Sequence, residues 1–176
     1  MTQVSEKTPM IEPERDMFPD IIEHLDYMTE LARDCDVIVE FGVREGGSTH
    51  AWLRAEPKQL ISIDILEWVL RYTRQYYDLF AADRGIDFQV RQGDSLKVEP
   101  IPCDLLFIDT DHTYDQLLAE LRRHGDSARK YIVCHDTVSA PDCFGAVGMF
   151  CRSPNWKIKE HFTHNSGLTV LERVHD

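Results

Sequence analysis

The chain has 176 residues and a formal charge of −12, from 31 acidic and 19 basic side chains. That length suits one domain around one sizeable core, and the acidic balance argues against a nucleic-acid partner, because binding phosphates takes clustered Lys and Arg. No apolar run approaches the roughly 18 residues of a membrane span, so no membrane partner is expected.

The polar opening, residues 1–8, does not read as a signal peptide. Cys35, Cys103, Cys134, Cys143 and Cys151, nowhere spaced C-x-x-C, read as reduced thiols of a cytoplasmic protein. Residues 1–17, with Pro9 and Pro13 and alternating charge, read as an N-terminal arm, and 18–176 as a single domain. Pro19-Asp20 opens a helix, with Glu23 in capping-box spacing and Ile21, Ile22, Leu25, Met28, Leu31 and Ala32 on one face. Val37–Phe41 is a short buried strand running into a glycine turn, Gly42 to Gly47, where a ligand can approach the backbone. Ser48 or Thr49 is expected to cap the next helix, which carries Ala51, Trp52 and Leu53 and stops before Pro57. Residues 60–64 form a second strand ending in Asp64, 22 positions after Gly42, where a carboxylate can accept the hydroxyls of a nucleoside ribose.

A helix over about 66–82 ends at Gly85. Val69, Tyr72, Tyr76 and Phe80 share a face that reads as core packing, with a pocket wall as the other role open to the two tyrosines. Residues 86–90 are the third strand, and Gly93-Asp94-Ser95 is a polar turn at its end. Residues 104–109 are nearly continuously apolar, as in the middle of a parallel sheet, and run into Asp109-Thr110-Asp111-His112. Thr113 and Gln116 make a capping box for a helix that turns Leu117, Leu118 and Leu121 inward. A fifth strand, 131–134, meets His135-Asp136-Thr137. Pro141–Phe150 is weakly helical, and Trp156–Phe162 and Leu168–Arg173 read as strands joined by a turn at 164–167.

This alternation predicts an α/β fold: a doubly wound, Rossmann-like, mostly parallel seven-stranded sheet with a C-terminal antiparallel hairpin. Ligands of such sheets bind outside the carboxyl ends of the strands. That edge collects Glu40, Asp64, Asp94, Asp109, Asp111, His112, His135 and Asp136, and so many carboxylates repel one another unless cations are bound.

Glu40-x-Gly42-x-x-x-Gly46, the acidic end at Asp64, the Gly93-Asp94-Ser95 turn and the terminal hairpin resemble a class I S-adenosylmethionine-dependent methyltransferase. Phe107-Ile108-Asp109-Thr110-Asp111-His112-Thr113-Tyr114 with Cys134-His135-Asp136-Thr137 looks more narrowly like the small bacterial metal-dependent O-methyltransferases of antibiotic and sugar modification. The resemblance covers residues 35–174. It implies S-adenosylmethionine as cofactor, with Glu40 and the Gly42 turn on the methionine part, Asp64 on the ribose and Asp94 on the adenine amino group. Around these, Arg44, Gly46, Ser48, Ile65, Gly93, Ser95 and Asp109 complete the expected cofactor contacts. Asp109 and Asp136 match the positions that supply oxygens to Mg²⁺ in metal-dependent relatives. His135 departs from that pattern, because imidazole suits transition metals better, so the expected metal set Asp109, His135 and Asp136 leaves Mg²⁺ or Mn²⁺ open.

An alcohol acceptor must lose a proton, and His112, three residues after Asp109, is the expected base, with Asp109 beside it in the catalytic pair. The bland role for His112 is a helix cap or a simple hydrogen bond. His50, His124, His161, His164 and His175 do not pair with cysteine at zinc-site spacing. A NAD-dependent oxidoreductase on the same fold is disfavoured by the missing G-x-G-x-x-G and by Glu40 and Glu45 near a would-be pyrophosphate. A non-catalytic nucleoside-cofactor-binding module is the other alternative. The expected acceptor is a small molecule, a sugar or secondary metabolite, bound among Tyr72 and Tyr76, the arm, 141–150 and 164–167. So small a lid also raises the expectation of a homo-oligomer.

Overall fold

The computed structural model describes residues 18–174; the expected arm, 1–17, and His175 lie outside the described residues. The strands are β1 (Val37–Phe41), β2 (Gln59–Asp64), β3 (Asp87–Gln92), β4 (Cys103–Ile108), β5 (Ala128–His135), β6 (Trp156–Phe162) and β7 (Leu168–Arg173). The helices are α1 (Leu25–Ala32), α2 (Gly47–Arg54), α3 (Glu67–Arg84), α4 (Tyr114–His124) and α5 (Pro141–Phe150). One seven-stranded sheet has the order β3-β2-β1-β4-β5-β7-β6, parallel except where β7 pairs antiparallel with both β5 and β6. This is the expected doubly wound sheet with its terminal hairpin.

Alternation along each central strand divides the core in two. Ile38, Leu60, Leu105, Phe107 and Val133 pack on the side of α1, α2 and α3. Their neighbours Val39, Ile61, Leu106, Ile108 and Ile132 pack on the side of α4 and α5. A strand buried on both faces has no polar side to show, which is why β4 reads as a nearly continuous apolar run, broken only by Asp104. Among the described residues, no helix is long and apolar enough to cross a membrane.

Register sets the functional edge. Phe41 lies opposite Ile63 on one side and Ile108 on the other, and Ile108 lies opposite Cys134. The next residue of each strand, Gly42, Asp64, Asp109 and His135, therefore falls in one row. The strand order reverses between β1 and β4, so the crevice of a doubly wound sheet opens at Gly42 and Asp109.

Three local expectations differ from the structure. Asp20 does not cap the first helix: the chain enters α1 through a 3₁₀ turn, Ile22–His24, with no side-chain cap, and Asp20 instead pairs with Arg44 at 2.6 Å. Neither Ser48 nor Thr49 caps α2; the cap position is Gly46 at φ +84°, because the left-handed turn starts the helix two residues earlier. The buried face of α3 is Val69, Leu70, Thr73, Tyr77, Phe80 and Ala81. Tyr72 and Tyr76 lie outside that face and stack on each other at 4.6 Å between ring centroids.

Candidate functional site

The turn after β1 is shaped by close approach. Gly42 has φ +82°, and a Cβ there would stand 1.7 Å from the Asp109 carbonyl oxygen. Only glycine lets the ends of β1 and β4 meet so closely. Asp64 then ties the turn to the start of α3. Its Oδ2 accepts from the amides of Val43 at 2.9 Å and Arg44 at 3.4 Å, and its Oδ1 accepts from Leu66 at 2.8 Å. A carboxylate has about four acceptor positions, so it retains capacity for a ligand hydroxyl.

A cleft of about 530 Å³ opens at this edge. Of the expected residues it is lined by Gly42, Arg44, Asp64, Ile65, Gly93, Asp94, Ser95, Asp109 and His112. Asp94 at the far end accepts from Lys97 and from the amide of Leu96, which together hold its carboxyl below the usual range.

Glu40, Gly46 and Ser48 do not line this cleft. Glu40 is fully buried, and its carboxylate accepts from the hydroxyls of Ser48 at 2.5 Å, Thr49 at 2.7 Å and Ser62 at 2.6 Å. Burial pushes its pKa up to about 7, against the pull of those hydroxyls. It is an internal brace that ties the end of β1 to α2 and β2. Gly46 packs under the Tyr77 ring, whose hydroxyl donates to its carbonyl at 3.0 Å. Ser48 borders a small neighbouring hollow with Asp109.

A second layer was not anticipated from the sequence. Glu120 is buried beneath the cleft and accepts from Ser95 at 2.5 Å, Thr110 at 2.7 Å and Gln116 at 2.9 Å. Thr110, Asp111 and Gln116 also line the cleft. The usable signal was spacing, since Gln116 and Glu120 are one helical turn apart on α4.

At the β4–β5 end, two carboxylates and two imidazoles converge. His112 Nε2 lies 3.1 Å from both Asp109 Oδ1 and Asp136 Oδ2. His135 Nδ1 lies 3.3 Å from Asp109 Oδ2 and 3.2 Å from Asp136 Oδ2. One ligand atom each from Asp109, His112 and Asp136 fall within 4.8 Å of one another. The expected metal set named His135 and omitted His112. The structure brings His112 into the group because α4 begins just after β4 and turns that imidazole back over Asp109. Asp136 itself is in the left-handed region at φ +56°, the kind of strained backbone that collects at functional sites.

The electrostatics follow from this crowding. Burial opposes the charge on Asp109, but His112 and His135 outweigh it and hold its carboxyl well below the usual range. Burial also opposes charge on His135, yet the two carboxylates raise its pKa to about 10. The hydrogen bond to Asp109 is the main cause that raises His112. The His135 side chain is 1 % exposed, and its Nδ1 stands beside the two carboxylates without a hydrogen-bonded partner. His135 Nδ1 could ligate a cation there only after giving up the proton that the two carboxylates hold on it, and the N,O donor set would then suit a divalent transition ion better than Mg²⁺.

No protein-family model matches the sequence, and no curated protein matches it. Solved structures do match. An O-methyltransferase from Bacillus cereus, in complex with S-adenosylhomocysteine, is 14% identical, with 93% of each chain covered and a TM-score of 0.68. TomG, an O-methyltransferase from Streptomyces achromogenes involved in tomaymycin synthesis and bound to S-adenosylmethionine, is 16% identical, covering 94% of this chain and 92% of its own, at 0.67. The S-adenosylhomocysteine-bound methyltransferase PaMTH1 from Podospora anserina is 17% identical, covering 92% and 84%, at 0.67. At these identities the likeness is one of architecture: the chain has the Rossmann-like fold of the class I S-adenosylmethionine-dependent O-methyltransferases.

Proposed function

We propose that this protein is an S-adenosylmethionine-dependent methyltransferase that methylates a hydroxyl of a small molecule, a sugar or secondary metabolite, with help from a divalent metal. The observation that carries the reading is the cleft at the strand-order reversal, bounded at one end by Asp94 and at the other by the Asp109–His112–Asp136 cluster. The neighbouring proteins that bind this cofactor or its product support it through the shared fold.

Each residue has a physical task in this reading. The acidic lining attracts a cofactor that is cationic at sulfur and at its amino group. Asp64 accepts the ribose hydroxyls with its remaining lone pairs, and Asp94 accepts from the adenine amino group. Methyl transfer is an in-line displacement, so holding acceptor and sulfonium in line supplies most of the catalysis. Asp109 and Asp136 would hold the metal, with the His135 imidazole behind them and His112 beside them on the cleft side. A divalent ion there lowers the pKa of a hydroxyl bound to it. His112, 43 % exposed on the cleft side, is the group placed to take the acceptor's proton. An imidazole takes a proton only through a nitrogen with a free lone pair, so this role needs His112 neutral. The acceptor is a small molecule rather than nucleic acid or membrane, and the protein is a cytoplasmic homo-oligomer. The exposed apolar side chains of α3, Trp68 and Leu79, support self-association, and a monomeric mass by light scattering at micromolar concentration would remove that part.

Calorimetric titration with S-adenosylmethionine, with and without Mn²⁺ or Mg²⁺ and against NAD⁺, tests the proposal. Micromolar binding of S-adenosylmethionine alone among the nucleotides supports the cofactor. Preferential binding of NAD⁺ would turn the reading to an oxidoreductase, and cofactor binding without methyl release to a non-catalytic module.

A further inference from the structure

The β6–β7 turn carries three consecutive residues in the left-handed region, Asn165 at φ +47°, Ser166 at φ +67° and Gly167 at φ +91°. A two-residue hairpin turn asks for at most two, and two of these three pay the steric cost of a side chain there. The backbone is held this way by contacts in two directions.

On one side, Asn165 grips the chain entering α1: its Oδ1 accepts from the Glu23 amide at 3.0 Å and its Nδ2 donates to the Pro19 carbonyl at 2.6 Å. His24 Nε2 bonds back to the turn, 3.1 Å from the carbonyls of both His164 and Asn165. Between Pro19 and Glu23 lies Asp20, whose carbonyl accepts from His135 Nε2 at 3.0 Å. A carbonyl only accepts, so this bond fixes the proton on Nε2 and aims Nδ1 at Asp109 and Asp136. On the other side, the Ser166 carbonyl accepts from the amides of Val138 at 3.0 Å and Ser139 at 2.9 Å. The Ser139 hydroxyl in turn donates to Asp136 Oδ1, leaving Oδ2 for the two imidazoles. A Cβ at Gly167 would stand 2.6 Å from the Val138 amide nitrogen, so the close approach is built in.

We propose that Asn165 is a positioning residue for the Asp109–His112–His135–Asp136 centre, acting through the Pro19–Glu23 segment to orient His135. Its effect on metal affinity rests on the metal reading above; its effect on His135 does not. Groups that orient a metal-site imidazole from behind typically change metal affinity about 10–100-fold.

Asn165→Gly keeps the left-handed backbone and deletes both side-chain bonds. Two readouts apply to wild type and variant: Mn²⁺ affinity by calorimetry, and the hydrogen-bonded imidazole Nε2–H resonance of His135 by nitrogen-15 NMR of the metal-free protein. We expect Mn²⁺ affinity to fall about tenfold or more and the resonance to be lost. A variant with unchanged Mn²⁺ affinity and an intact resonance, however much its melting temperature drops, overturns the proposal. If the wild type itself does not bind Mn²⁺, the metal reading fails and the resonance alone decides: lost in the variant supports the positioning role, retained refutes it. Should Asn165→Gly not fold, Asn165→Asp keeps the acceptor for Glu23, replaces the bond to Pro19 by two facing oxygens, and is read the same way.

Discussion

Glu40 is the residue whose role changed most between sequence and structure, and Glu40→Gln tests the new role quantitatively. In the fold its pKa is about 7, raised by burial from the ordinary 4.5. Below 4.5 the carboxyl is neutral in both folded and unfolded chains, and it contributes no pH dependence. Between the two values the unfolded chain gives up its proton while the folded chain keeps it, so stability falls as pH rises. Above about 7 both states are ionised and the loss is complete. A gap of this size corresponds to roughly 3 kcal/mol, of which about 2–3 develop between about pH 5 and pH 8. Glutamine has the same shape, does not titrate, and can be served by Ser48, Thr49 and Ser62, whose hydroxyls both donate and accept. Urea unfolding of the two proteins across that range should show the variant gaining on the wild type by about 2–3 kcal/mol, or roughly 1 M in midpoint at a usual urea dependence. Titration of the cluster at Asp109 is common to both proteins and cancels in the difference. Because Glu40 is buried and does not line the cleft, S-adenosylmethionine affinity at about pH 8 should change less than about threefold, far under the cost of losing a hydrogen bond to a charged group. Midpoints that run parallel from acid to alkaline pH would refute the reasoning, since Glu40 would then titrate alike in both states.

Three further substitutions probe the edge. Gly42→Ala places a methyl group 1.7 Å from the Asp109 carbonyl oxygen at a positive φ, and should cost about 3 kcal/mol or more, read as a lowered denaturation midpoint; near-wild-type stability would mean the β1 and β4 ends part easily. Asp64→Ala strips the acceptor from three backbone amides and from the ligand, so S-adenosylmethionine affinity should fall at least about tenfold by calorimetry; unchanged affinity removes Asp64 from the pocket. His112→Ala should lower turnover by about 10²-fold while cofactor affinity is retained, and equal turnover ends its role as the base.

The strands and most helices were legible because their signals are local. Apolar runs with β-branched residues marked β1, β2, β4 and β5, and Thr113 does cap α4, its side chain accepting from the Gln116 amide. The acidic edge was legible as well, since right-handed crossovers leave a parallel sheet no other place for its strand ends. Asp64, Asp94 and Asp109 line the cleft on that account.

Where side chains point once the chain turns is settled by packing. Ser48 and Thr49 follow the glycines along the chain, but the left-handed Gly46 moves the helix start upstream and turns both hydroxyls inward to Glu40. His112 meets Asp136 because β4 and β5 are adjacent in register, a fact that no spacing along the chain contains. Asn165 reaches Pro19 across 146 positions, through a turn with three consecutive left-handed residues. Periodicity records which face of an element is buried, because burial acts on every residue of that element. The convergence of a few polar groups from distant elements depends on register and on individual backbone angles, and those are set by the packed fold as a whole.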